Sequence, residues 1–182
     1  MIRILAISGS LRATSSNGTL LRAARALAPA GVEVVVYDGL GDLPHFNPDV
    51  DDAGAPPLVL DFRDRLRGAD AVLISSPEYA HGVPGVLKDA LDWLVGSGEL
   101  VGKLAALVDA APRAAWAHAS LTETLTVMMA RIVPEASPAI ALTGKKLDEG
   151  GMAADPEIAG PMRAALAALA RAVEADRAAG ES

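Results

Sequence analysis

The stretch Met1-Ile2-Arg3-Ile4-Leu5-Ala6-Ile7-Ser8-Gly9-Ser10-Leu11-Arg12-Ala13-Thr14-Ser15-Ser16-Asn17-Gly18-Thr19 decides the fold. It begins as a short apolar run with β-branched residues, turns through Gly and Ser, and ends where a helical period starts. A strand over residues 2–8 that empties through a polar turn into a helix over 19–27 is the opening unit of a parallel α/β sheet. The alternation repeats down the chain. Further strands are expected at 32–37, 71–76, 104–109 and 139–142, and further helices at 58–67, 84–95, 114–132 and 161–178. This element count predicts a three-layer α/β/α fold around a five-stranded, doubly wound parallel sheet of order 2-1-3-4-5.

The length of 182 residues suits one domain over 1–182, and 51% hydrophobic with 21% charged residues is globular composition. Cysteine is absent, which excludes disulfides, thiolate nucleophiles and Cys-ligated metals. A net charge of −7 argues against a broad nucleic-acid or anionic-membrane surface. That charge is uneven: residues 1–32 hold Arg3, Arg12, Arg22 and Arg25 and no acid, so all 23 acidic side chains come later. A small anion is electrostatically favoured near the amino terminus. No apolar run reaches the ~18–20 residues of a membrane span, and the opening run is too short for a signal peptide. A cytoplasmic protein is expected.

In a sheet of this order, ligands sit beyond the carboxyl ends of strands 1, 3 and 4, here residues 9–18, 77–83 and 110–113. The loop from Ser8 to Thr19 holds six hydroxyl residues, one Asn, two Gly and one Arg. Feeding a helix N-terminus, it offers unpaired N–H groups and the positive end of a helix dipole to a phosphate. Capping alone needs one or two such side chains. The triphosphate-binding spacing and its lysine are missing, and no glycine stands two or five places after Gly9 as in the dinucleotide fingerprint. A terminal monophosphate is what remains. The second loop, Ser75-Ser76-Pro77-Glu78-Tyr79-Ala80-His81-Gly82-Val83-Pro84-Gly85, is a rigid turn whose backbone can border a flat heteroaromatic edge, with Tyr79 to pack on it. Together the two loops suit a phosphate-plus-ring ligand such as FMN.

Two motifs resemble those of the NADPH-dependent FMN reductase family, which has a flavodoxin-like fold. One is Gly9-Ser10-Leu11-Arg12 followed by Ser15 and Asn17; the other is Pro77-Glu78-Tyr79, then Pro84-Gly85, Leu87-Lys88, Ala90 and Asp92-Trp93-Leu94. The resemblance implies that Ser10, Arg12, Ser15 and Asn17 hold the FMN phosphate, with Leu11 and the Ser16 backbone beside them. It implies that Pro77, Glu78, Tyr79 and Ala80 border the isoalloxazine ring, and that Ala110 lines the same site. It further implies hydride transfer from NADPH or NADH through FMN to a quinone, free flavin or similar small acceptor, in a homodimer or homotetramer. The protein needs no general base for such a step, because the flavin carries the chemistry.

The chain departs from the family pattern at two places. Ala80 stands where Asn is usual, and Asp109-Ala110-Ala111-Pro112-Arg113-Ala114-Ala115-Trp116 lacks the usual glycines. A flavodoxin-like electron shuttle and a degenerate, flavin-free member are therefore the alternatives.

The rest of the chain offers little chemistry. His45, His81 and His118 are scattered, and neither a metal-ligand spacing nor a nucleophile elbow occurs. Asp51-Asp52 and Lys145-Lys146 read as solvated loop charges, and Trp93 and Trp116 as core or subunit contacts. The stretches 38–57 and 143–160 read as irregular, the first as a mobile segment or a subunit contact.

Overall fold

A computed structural model describes residues 1–111 and 115–180. Five parallel strands, β1 (Ile2–Ser8), β2 (Val32–Tyr37), β3 (Ala71–Ser75), β4 (Leu104–Val108) and β5 (Arg131–Ile132), form one sheet in the order β2-β1-β3-β4-β5. The expected order and layering are borne out. Successive side chains of a strand point to opposite faces, so Ile4 and Ala6 enter one core while Leu5 and Ile7 enter the other. Helices α1 (Ser16–Leu27), α6 (Glu149–Ala154) and α7 (Pro156–Gly180) cover the first face. Helices α3 (Pro57–Arg67), α4 (Gly85–Asp92) and α5 (Ala115–Val127) cover the second. Every residue of β3 and β4 is buried, which explains why they are apolar throughout except for Ser75 at the end of β3.

The fifth strand is the main correction. The sequence places it at 139–142, after a helix running over 114–132, but α5 stops at Val127 and the edge pairing starts at Arg131. The helix ends in a Schellman turn: Ala130 N donates to Leu125 O (2.9 Å), Met129 N donates to Thr126 O (2.9 Å), and Met129 takes φ 62°. Arg131 and Ile132 then pair with Leu104 and Ala105. A 3₁₀ turn over Pro134–Ala136 interrupts the edge, which resumes where Ala139 bridges Asp109 in parallel. The 139–142 segment is thus the second half of a broken edge.

Other boundaries move less. β3 and β4 each end one residue sooner than expected, α1 begins at Ser16, and α7 begins five residues sooner, carrying Pro161 inside it. The 38–57 connection contains the short helix α2 (Pro48–Asp52) and is packed down. The Trp93 indole donates to Pro44 O (2.8 Å) and meets Phe46 edge-on (5.1 Å), while buried Arg63 pairs with Asp51 (2.8 Å). Asp51 is therefore a partner of a buried cation. Trp93 is fully buried within the subunit and is therefore a core contact.

Candidate active site

Gly9 brings the first two loops together. A Cβ there would lie 2.3 Å from Ser76 Oγ and 2.8 Å from Ser76 Cβ, so only glycine lets the exit of β1 pack directly on the exit of β3. Gly9 N donates to Ser75 O (3.0 Å) and continues the sheet ladder into the loop. Beyond these strand ends lies a cleft of about 890 Å³. Its walls are the loop after β1, the loops after β3 and β4, and residues 142–149.

The structure brings Arg12, Ser16, Asn17, Pro77, Glu78 and Ala110 together around this cleft. Ser10, Leu11, Ser15, Tyr79 and Ala80 are not among its lining residues. Three of the loop hydroxyls serve the loop itself, the first being Ser8, whose Oγ accepts from Ser10 N (3.3 Å). Ser10 Oγ accepts from Arg12 N (3.3 Å), and buried Ser15 caps α1 by accepting from Gly18 N (3.4 Å). By contrast, the backbone N–H groups of Ala13, Thr14, Ser16 and Asn17 meet no protein acceptor among the described residues. Ser75 Oγ donates to Asn17 Oδ1 (2.8 Å), leaving the Asn17 NH₂ as a donor on the cleft wall.

The charges on the cleft divide into committed and uncommitted groups. Arg22 is bound to Glu149 (2.6 Å), and Lys145 to Asp155 (2.6 Å) and Glu157 (2.8 Å). The hydrogen bonds to these two carboxylates push the Lys145 ammonium up, and the bond to Lys145 holds Asp155 below the usual carboxylate range. Lys145 is thus no simple solvated charge. Arg12 and Lys146 pair with no carboxylate among the described residues. The first turn of α1 contains no acid. Free amides, an unpaired guanidinium and a helix N-terminus make a cradle suited to a phosphate dianion.

The opposite wall is braced by contacts that composition did not reveal. Glu78 Oε2 accepts from Ala117 N (2.8 Å), which ties the turn after β3 to the start of α5. Asp109 Oδ1 accepts from Ala111 N (2.9 Å), an Asx turn that occupies its carboxylate. Tyr79 and Gly82 exchange two backbone bonds (3.1 and 2.9 Å) across Ala80 and His81, which take φ 50° and 61°. Pro112, Arg113 and Ala114, part of the glycine-free loop, lie outside the described residues. The wall formed by 142–149 was missed in the sequence. Its one signal was the Gly144 turn, φ 81°, just before two lysines.

A sheet of this order, with a cleft at the point where its winding reverses, defines the flavodoxin-like class of α/β proteins. The chain belongs to the NADPH-dependent FMN reductase family, whose model matches residues 2–144. It is 42% identical to an NAD(P)H-dependent FMN reductase of Pseudomonas aeruginosa over 60% of each chain. It is 39% identical to a quinone reductase of Escherichia coli K12 over 51% of this chain and 50% of that one. The matched stretches thus span only about half to three-fifths of these relatives. Among solved structures, FerB, a flavoenzyme NAD(P)H:(acceptor) oxidoreductase of Paracoccus denitrificans, superposes with a TM-score of 0.79. The identity is 31%, over 96% of this chain and 98% of FerB.

Proposed function

We propose that residues 1–182 form one FMN-binding domain that oxidises NADPH or NADH and reduces a quinone, free flavin or similar small acceptor. Family membership supports the reaction class. The observation that carries the site is the cradle at α1, where four free amides and unpaired Arg12 face one cleft. Arg12, Asn17 and the amides of Ala13, Thr14 and Ser16 hold the phosphate, while Ser10 and Ser15 shape the loop behind them. Pro77, Glu78, Ala110 and Ala111 border the ring, and Leu11, Tyr79 and Ala80 flank that border. FMN bound there supplies hydride acceptance and two-electron transfer. The balance is NAD(P)H, a proton and a quinone giving NAD(P)⁺ and a hydroquinone. The protein's own task is to orient and to screen: the Glu78 and Asp109 carboxylates are engaged by backbone N–H groups at the wall.

Replacing Arg12 by Ala is expected to weaken FMN about ten- to hundredfold, from the loss of a charge-assisted contact. Riboflavin, which lacks the phosphate, should change by less than about twofold. Equal losses for the two ligands in a fluorescence titration would remove the phosphate assignment. An electron shuttle would bind FMN yet show negligible NADPH oxidation with menadione. A degenerate member would stay colourless with added FMN.

The chain assembles with copies of itself as a homodimer or homotetramer. Support comes from exposed Val101, Val127 and Met129, which the bond from Gly102 N to Met129 O (2.9 Å) draws to one end of the molecule. None of the described helices is long and apolar enough to cross a membrane. A cytoplasmic location suits a consumer of NAD(P)H.

A further inference from the structure

Three aromatic rings adjoin the Glu78 wall of the cleft, Tyr79 and His81 on the turn that follows it and Trp116 at the start of α5, with no place in the phosphate cradle. Tyr79 is 57% exposed and Trp116 63% exposed, large values for side chains that usually bury most of their area. His81 stacks on Trp116 with centroids 5.5 Å apart and ring planes 25° from parallel. Two contacts hold this group against the wall: the stack itself, and the Glu78 carboxylate on the N–H of Ala117, the residue after Trp116. The turn that presents Tyr79 and His81 keeps two non-glycine residues at positive φ. Such backbone strain persists where surrounding contacts enforce it, and it gathers at ligand sites. Strain, exposure and bracing therefore coincide at one wall.

We propose that the His81–Trp116 pair is a binding wall for flat aromatic electron acceptors, with Trp116 as the residue that selects them over acceptors without a ring. The proposal rests on the oxidoreductase reading above. A planar quinone gains offset stacking on the indole, and a compact inorganic oxidant gains nothing there. Trp116 thus governs acceptor affinity and leaves electron delivery alone.

The FMN-loaded protein is assayed at saturating NADPH with 1,4-naphthoquinone and with ferricyanide. Trp116→Ala is expected to raise KM for naphthoquinone about three- to tenfold, the range of an aromatic contact, with kcat unchanged. KM for ferricyanide and the affinity for FMN should stay within about twofold, and Trp116→Phe should restore most of the naphthoquinone affinity. An unchanged naphthoquinone KM in Trp116→Ala, or an equal rise for ferricyanide, overturns the proposal. A second readout needs no flavin. Naphthoquinone should quench tryptophan emission in the wild-type protein and lose that quench in Trp116→Phe, where buried Trp93 still emits. Equal quenching of both proteins also overturns the wall. A wild-type protein that takes up no FMN, yet shows the Trp116-dependent quench, would refute the oxidoreductase reading and leave the wall standing.

Discussion

Ala80 carries a φ of 50°, where its Cβ crowds the neighbouring carbonyl. Asn tolerates this region far better, so the substitution that sets this chain apart from its family's motif has a physical cost. Ala80→Asn is expected to stabilise the protein by a few tenths to about 1 kcal/mol, read as a higher urea midpoint at unchanged slope. A lower midpoint would show that the turn does not hold this conformation. The same scale shows how far the cleft could be read from the sequence. Composition singled out the 8–19 loop as an anion site, and Arg12, Ser16 and Asn17 do share the cleft. Composition could not tell which hydroxyls the loop spends on itself. Ser10 and Ser15 are committed by turn and cap geometry, which depends on φ and ψ and not on residue type alone.

Helix ends are the elements least legible in this sequence, and α5 shows why. Its stop has Met129 in the left-handed position that glycine normally marks, and Arg131-Ile132-Val133 continues the apolar period beyond it. With no glycine as punctuation, helix and edge strand merged into one expected helix, and the strand was assigned to 139–142. β1 to β4 are legible because short, predominantly apolar runs leave few alternatives in a parallel sheet. Met129→Gly should stabilise the Schellman turn by about 0.5–1 kcal/mol, the relief at positive φ less the added freedom of the unfolded chain. Dilute-solution urea unfolding followed by circular dichroism tests this, and a drop in midpoint would contradict the turn geometry.

The molecule as a whole is closed by a tie between its two ends. Asp70 Oδ2 accepts from Arg3 N (2.8 Å) in β1, and Asp70 Oδ1 accepts from Arg177 (2.7 Å) in α7. Burial pushes the Asp70 carboxyl up, but these two bonds and the nearby Lys103 ammonium hold it below the usual range. A carboxyl with a lowered folded-state pKa adds stability that is complete above its unfolded value, about 3.9, and lost as pH falls through the folded value. Asp70→Asn should therefore be less stable at neutral pH and should lose less on acidification below about pH 4. Wild type and variant declining in parallel during an acid titration would refute the linkage. The broken edge at β5 has a consequence of another kind. An incoming β-ribbon finds two hydrogen-bonding residues there, followed by Pro134 and Pro138, and cannot dock. The opposite border, β2, offers six residues with no proline. A sheet with a single receptive margin can join one neighbour and no more, so lateral growth through its backbone ends at a pair and does not run on into a fibre.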